Sequence, residues 1–504
     1  MHFPLVDALD RAVEQTSVRY LFALAAVYPL ALVFRLLPYP HHLAAAGAGR
    51  AWAAAVKHLF SVVITIGICS FALGPYSWVH ALVTTLVSYA LHRLLPHGIA
   101  HKAVFMFCMA YLSFGHLWIM YTEWLAWSLN WTTQQMLLTI KLTSCACNIY
   151  DGHQPAAAQE KMRDYQKRHA VKRMPSLLEY LGFAFFFPSF LAGPTMEMSD
   201  YLAFINGDIW LPTLQTVGLA FMFLPGPALG NVYFPIDNFL TRPFLDAPFL
   251  VKFGEMWLIL FLVRCKYYFG WYMGEGGFVA CGFSYNGTDA RGRVRWDRVP
   301  VNRPLGVELP ENMREVTDSW NICTSSWLKQ YVYLRFSPDG KPNMLATMLT
   351  YFTSAFWHGF YPGYFMFFLM GAVLTETGKN LRRKVRPWFL REDGVTPRPA
   401  KIVYDVLGVI AVQASLSYIA VSFVLLLPSR AWTVYESMYH AGYVLIFATF
   451  FVTRFVLPSP PRPKASTTTN NSQASKKAST TTKKKNGSGS DVDQSPAAKD
   501  KKVR

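Results

Sequence analysis

Charge is the first shortage. Asp, Glu, Lys and Arg make up 15% of the 504 residues, where soluble domains carry about 25%. Cysteine is scarce as well. There are seven, namely Cys69, Cys108, Cys145, Cys147, Cys265, Cys281 and Cys323, with no CxxC pair. That excludes a small disulfide scaffold. Cys145-Ala-Cys147 lacks metal-ligand spacing, so the thiols read as small buried apolar groups and no metal site is expected. Several motifs are missing: a GxxxxGK(S/T) phosphate loop, GxGxxG after a strand, HExxH and GxSxG. Nucleotide-loop, zincin and serine-hydrolase chemistries are thereby disfavoured. No internal repeat of the kind found in paired-repeat transporters is evident.

Apolar residues, by contrast, are plentiful at 52%, and they fall in long runs. Disorder needs low hydrophobicity and is excluded for most of the chain. Runs of about 17–25 apolar residues match a bilayer core. They occur near 20–37, 58–74, 77–95, 103–121, 177–193, 213–229, 248–274, 343–360, 362–378, 402–427 and 433–457. Shorter stretches at 124–144 and 317–336 predict re-entrant or interfacial helices. The expectation is an all-α polytopic membrane protein. Met1–Tyr20 holds Asp7, Asp10, Arg11 and Glu14, which does not fit a cleavable signal peptide.

The net charge is +18. Residues 458–504 hold 11 Lys+Arg against 3 Asp+Glu, or +8, which leaves +10 for residues 1–457. The excess flanks apolar runs, as the positive-inside rule describes, so nucleic-acid binding is not expected. The loop 379–401 and the tail are both basic and are separated by two expected spans, which predicts that both face the cytosol. The chain therefore divides into a membrane domain, 1–457, and a Ser/Thr/Lys-rich disordered tail, 458–504. Lys501-Lys502-Val503-Arg504 resembles a dilysine retrieval signal read by coat proteins, which predicts an endoplasmic reticulum membrane location.

Polar residues inside apolar runs are costly and are functional candidates by default. His358 lies in Ser354-Ala355-Phe356-Trp357-His358-Gly359-Phe360-Tyr361-Pro362-Gly363-Tyr364. Gly359, Pro362 and Gly363 predict a broken helix there. Such a break survives at membrane depth where it is buried or lines a cavity. Its imidazole suits either proton transfer or the capping of a helix end. Asn321 lies in Trp320-Asn321-Ile322-Cys323-Thr324-Ser325-Ser326-Trp327-Leu328. Trp320, Thr324, Trp327 and Tyr331 recur at helical spacing. An uncharged amide can donate to an oxyanion, orient a His, or simply cap a helix. Lys266, in Lys266-Tyr267-Tyr268-Phe269-Gly270-Trp271, and Glu275 are a further candidate pair. They either pair at a membrane edge, line a substrate path, or snorkel among interfacial aromatics.

Taken together, these residues resemble the membrane-bound O-acyltransferase family. Trp320-Asn321…Trp327-Leu328 and Trp357-His358-Gly359…Pro362-Gly363-Tyr364 carry the likeness. Asn148-Ile149-Tyr150-Asp151-Gly152, Pro175-Ser176-Leu177-Leu178-Glu179-Tyr180, Lys266-Tyr267-Tyr268, Trp296-Asp297 and Arg391-Glu392-Asp393-Gly394 favour its lysophospholipid branch, nearest the broad-specificity fungal enzymes. The resemblance spans about residues 20–457. It implies a bundle of about eleven helices around an intramembrane chamber, with no bound cofactor. It also implies transfer from acyl-CoA to the free glycerol hydroxyl of a lysophospholipid. His358 would be the general base and Asn321 its partner, with Trp320, Trp357, Lys266 and Glu275 in reach of substrate. Acylation of a sterol, diacylglycerol or protein by the same site is the alternative within enzymes. A lipid transporter or scramblase is the alternative outside them.

Overall fold

The computed structural model describes residues 16–38, 48–125, 128–207, 215–289, 291–337, 341 and 343–458. The acidic N-terminal residues, the basic tail and Lys501-Lys502 lie outside them. The described chain is almost wholly helical. The helices used below are α1 (Thr16–Leu36), α2 (Ala48–Leu73), α3 (Ser77–Leu94), α4 (His97–Thr122), α5 (Trp131–Gly152), α6 (Leu177–Ala184), α7 (Phe249–Cys281), α8 (Met313–Ser319), α9 (Ile322–Trp327), α10 (Met344–His358), α11 (Pro362–Lys384), α12 (Lys401–Leu425) and α13 (Ala441–Phe451).

Among the described residues, five segments can cross a bilayer by length and composition: Thr16–Leu36, Gly49–Leu73, His97–Thr122, Gly218–Leu240 and Lys401–Leu425. A sixth is counted if Pro428–Ser437 and Ala441–Val456, bent by 88°, form one broken span. α12 shows the reason most plainly. Ile402, Val403, Val406, Leu407 and Ile410 are exposed along it, which costs nothing in lipid.

Three expectations from the sequence are corrected. The run 177–193 is not one span. α6 stops at Ala184 and a four-residue helix restarts at Phe187. Pro188 has no N–H to return to the Ala184 carbonyl, so α6 cannot continue through it. Phe183, Phe185, Phe186 and Phe187 are core residues, so the run is apolar because protein covers it. The stretch 124–144 is not interfacial. α5 begins at Trp131, capped by Asn130 Oδ1 accepting from the Thr132 N–H at 3.0 Å, and runs buried to Gly152. The stretch 317–336 is not one amphipathic helix. It splits into α8, α9 and a wider π-type run, Leu328–Tyr333.

α5 is the centre of the fold. Gln134, Gln135, Thr139, Lys141, Thr143, Ser144, Asn148 and Asp151 are buried on it. Buried polar groups persist when hydrogen-bonded. Lys141 Nζ donates to the Ala184 carbonyl at 3.0 Å and to Ser189 Oγ at 2.9 Å. Trp327 Nε1 donates to Thr143 Oγ1 at 3.0 Å. Among the described residues the apolar interior has three clusters. One gathers α1, α2, α5, α6 and the end of α7 around Phe34, Phe186 and Phe278. A second joins α7, α11 and α12 around Met256, Met370 and Tyr418. A small third one, Met109, Leu112, Ile140, Cys147, Trp327, Tyr331 and Trp357, lies beside the candidate site. All seven cysteines are unpaired and six are buried.

Candidate active site

His358 is the last residue of α10. Gly359 ends the helix with φ +130°, a conformation that L side chains rarely adopt. Pro362 then starts α11 at its first position, where a missing N–H costs nothing. Gly363 passes against α12. Its N–H donates to the Leu426 carbonyl at 2.8 Å, and a Cβ there would fall 2.1 Å from the Ser422 carbonyl oxygen.

The imidazole of His358 is walled by aromatics. Ring centroids lie 4.7 Å from Trp357 and Phe368, 5.5 Å from Phe423 and 6.0 Å from Tyr364. His358 Nδ1 is 2.7 Å from the Ser354 carbonyl oxygen. A carbonyl accepts and never donates, so Nδ1 carries the proton. In the neutral ring, Nε2 is then the basic nitrogen.

Asn321 lies at the junction of α8 and α9 with left-handed φ 41° and ψ 61°. Asn is among the few residues that visit this region readily. Its Oδ1 accepts from the Thr324 N–H at 3.4 Å, the geometry of an N-cap. That assignment leaves Nδ2 as the donor. The backbone around it is tied down. Ile322 N–H donates to the Val301 carbonyl at 2.7 Å, and Arg303 N–H to the Ser319 carbonyl at 2.9 Å.

Among the described residues no hydrogen bond joins Asn321 to His358. Their helices meet through Trp327 and Trp357, with ring centroids 6.2 Å apart. Trp357 Nε1 donates to the Met136 carbonyl at 3.0 Å, so both indoles are anchored on α5. The candidates thus sort into different surroundings. Trp357 is buried next to His358. Trp320 packs edge-on against Tyr267, Tyr268 and Trp271 of α7, at 5.8, 5.7 and 4.8 Å. Lys266 is exposed on α7. Glu275 Oε2 accepts from the Val301 N–H at 3.0 Å. Nine residues at about 100° each put Lys266 and Glu275 on opposite faces of the helix. The structure therefore gives no ion pair between them, and Glu275 fastens the loop that precedes Asn321.

Two groups escaped the sequence reading. Glu197 accepts from Asn148 Nδ2 at 2.5 Å, from Tyr165 at 2.8 Å and from Tyr331 at 2.9 Å. Beside it Arg335 makes two bonds to the buried Asp151, at 3.0 and 2.6 Å. These contacts bind the chain after Asn321 to α5, and nothing local in the sequence announces them. The other is His116, on α4, whose Nε2 is 3.0 Å from the Trp357 carbonyl oxygen. Its signal was a lone His within the apolar run 103–121.

Membrane-length helices, with the break after His358 set among them, define an integral membrane protein, and comparison with known proteins gives its family. The chain belongs to the membrane-bound O-acyltransferase family, whose model matches residues 116–421. It is 31% identical over 475 residues to the lysophospholipid acyltransferase of Saccharomyces cerevisiae, covering 88% of this chain and 74% of that protein. It is also 31% identical to the lysophospholipid acyltransferase of Schizosaccharomyces pombe, covering 86% and 85%. Against the human membrane-bound glycerophospholipid O-acyltransferase 2 the identity is 30%, covering 88% and 85%.

Proposed function

We propose that the chain is an acyl-CoA-dependent lysophospholipid acyltransferase in which His358 is the general base and Asn321 the oxyanion donor. The observation that carries the assignment of roles is the 2.7 Å contact of His358 Nδ1 with the Ser354 carbonyl oxygen. Its Nδ1–H is spent on Ser354, so Nε2 presents a lone pair at a break in an apolar helix. His358 Nε2 takes the proton of the free glycerol hydroxyl. The hydroxyl oxygen attacks the thioester carbonyl and forms a C–O bond. Asn321 Nδ2 donates to the oxyanion. Collapse breaks the C–S bond, and the proton on His358 passes to the departing sulfur. A thiol, with a pKa near 8.5, leaves with little acid assistance. No acyl-enzyme and no cysteine nucleophile are required.

A site at membrane depth also lowers the cost of handling the acceptor. Drawing an acyl chain into water would cost about 0.8 kcal/mol per CH₂, so lateral entry from the bilayer is favoured. The CoA head stays on the cytosolic side with the basic loop 379–401. On this reading the membrane domain, 1–457, is a bundle of about eleven helices in the endoplasmic reticulum, and residues 458–504 face the cytosol.

The test uses membranes from cells lacking their own activity. Labelled acyl-CoA is offered with lysophospholipids of several head groups, and with sterol and diacylglycerol. Diacyl phospholipid should form with wild type and fall at least 100-fold with His358→Ala, since general-base catalysis contributes roughly 10²–10⁴-fold. Transfer within threefold of wild type in His358→Ala would remove His358 from the chemistry. Transfer to sterol or diacylglycerol instead would move the chain to another branch of the family.

A further inference from the structure

An α-helix leaves its last four carbonyls without intrahelical partners. At the end of α10 two of those four, on Ala355 and Trp357, are nonetheless engaged, and the Ser354 carbonyl just before them takes a side-chain donor. Ala355 O receives the Gly359 N–H at 3.2 Å. Ser354 O receives His358 Nδ1–H at 2.7 Å. The carbonyl of Trp357, the residue directly before His358, receives His116 Nε2–H at 3.0 Å. His116 comes from α4, 241 positions earlier in the chain. Its ring also lies over the break, because a Cβ built on Gly359 would sit 3.5 Å from His116 Cγ.

Two further bonds reach the same turn from this part of the chain. Leu125 N–H donates to the Tyr361 hydroxyl at 2.8 Å, and Trp357 Nε1 donates to the Met136 carbonyl at 3.0 Å. α4, the turn after it and α5 therefore clasp the helix break from outside. Of these contacts, the His116 bond is the one made to the peptide that joins Trp357 to the proposed base. Gly115 helps place it. A Cβ there would fall 2.6 Å from the Trp131 ring, so a side chain at 115 would push α4 away from α5.

We propose that His116 is a positioning residue for acyl transfer. It acts as an Nε2–H donor that fixes the Trp357–His358 peptide and so aims His358 Nε2. This rests on the assignment of His358 as base. A hydrogen-bond donor that aims a catalytic group changes turnover more than binding, because a displacement of about 1 Å can cost roughly 10²-fold in rate.

The experiment measures kcat and KM for acyl-CoA and lysophospholipid in membranes at matched expression. The variants are His116→Leu, His116→Gln and His116→Asn, with His358→Ala alongside. Leu keeps bulk and removes the donor. Gln places an N–H near the position of Nε2, whereas Asn is too short to reach it. His116→Leu should lower kcat at least tenfold with both KM values within threefold. Gln should restore kcat to within threefold of wild type, and Asn should not. Full turnover in His116→Leu overturns the proposal, and so does a Gln variant as slow as the Leu variant. If the Leu variant does not accumulate, the Gln and Asn pair decides alone, and equal rates in those two overturn it. Activity surviving in His358→Ala refutes the base assignment itself and is read separately.

Discussion

Asn321 and His358 both sit at helix breaks, yet the two breaks are held by different means. Asn321 caps its own break, with backbone bonds to the 301–303 loop on either side of it. It adopts a left-handed backbone that Asn tolerates, and its own Oδ1 caps the helix it begins. His358 is held by others. Gly359 supplies the turn, Gly363 supplies the close approach to α12, and His116 supplies the last hydrogen bond. The difference is one of tolerance. A break built from small backbone clearances fails when its neighbours change. A break built from a cap can lose the side chain and keep its shape.

That contrast predicts a ranking of damage. Gly363→Ala should be the worst. Its Cβ would lie 2.1 Å from the Ser422 carbonyl oxygen and 2.6 Å from that of Leu426. Both obstacles are backbone, so α11 and α12 must separate. Overpacking of this severity costs about 3 kcal/mol or more. The protein should lose its monodisperse peak in detergent at temperatures where wild type keeps it. A wild-type melting profile would contradict the packing argued for this turn.

Gly359→Ala should come next, with a different signature. There is room for the methyl group, since the nearest atoms are 3.5 Å away. The cost is the backbone, which must hold φ +130°. Such strain is worth about 1–3 kcal/mol. It is relieved most easily by rotating the peptide that follows His358. Melting should therefore drop modestly while transfer drops by at least tenfold. Equal loss of both would mean that the strain spreads through α10 rather than staying at the base.

The same contrast explains what the sequence disclosed. Gly359, Pro362 and Gly363 fall within five residues of an otherwise apolar stretch, so the break at His358 was legible as punctuation. The cap at Asn321 was only one of the readings open to that amide, and the helical spacing of Trp320, Thr324, Trp327 and Tyr331 argued instead for continuity through it. Hydropathy also misread two stretches for one physical reason. It reports apolar surface and does not say whether lipid or protein covers it. Phe183 to Phe187 looked like part of a span and is core, while 124–144 looked re-entrant or interfacial and mostly belongs to α5, the buried scaffold of both indole anchors. His116 and Glu197 act across 241 and 134 positions, a separation that no local pattern encodes.

The smallest structural effect belongs to Asn321, and it is the sharpest test of the comparison. Asn321→Gly accepts φ 41° without strain and gives up only the cap, a change worth a few tenths of a kcal/mol. Melting should stay at the wild-type value. Transfer should nevertheless fall, by roughly 10²–10³-fold if the amide is an oxyanion donor of ordinary strength. Asn321→Asp separates the two duties of the side chain. It keeps the acceptor that caps Thr324 N–H and removes the Nδ2 donor, so it should melt like wild type and transfer no better than the Gly variant. Recovery of transfer in the Asp variant alone would show that capping, not donation, is what the reaction needs from this position. In that case the oxyanion would have to be met by another group, and the two breaks would differ in chemistry as well as in construction.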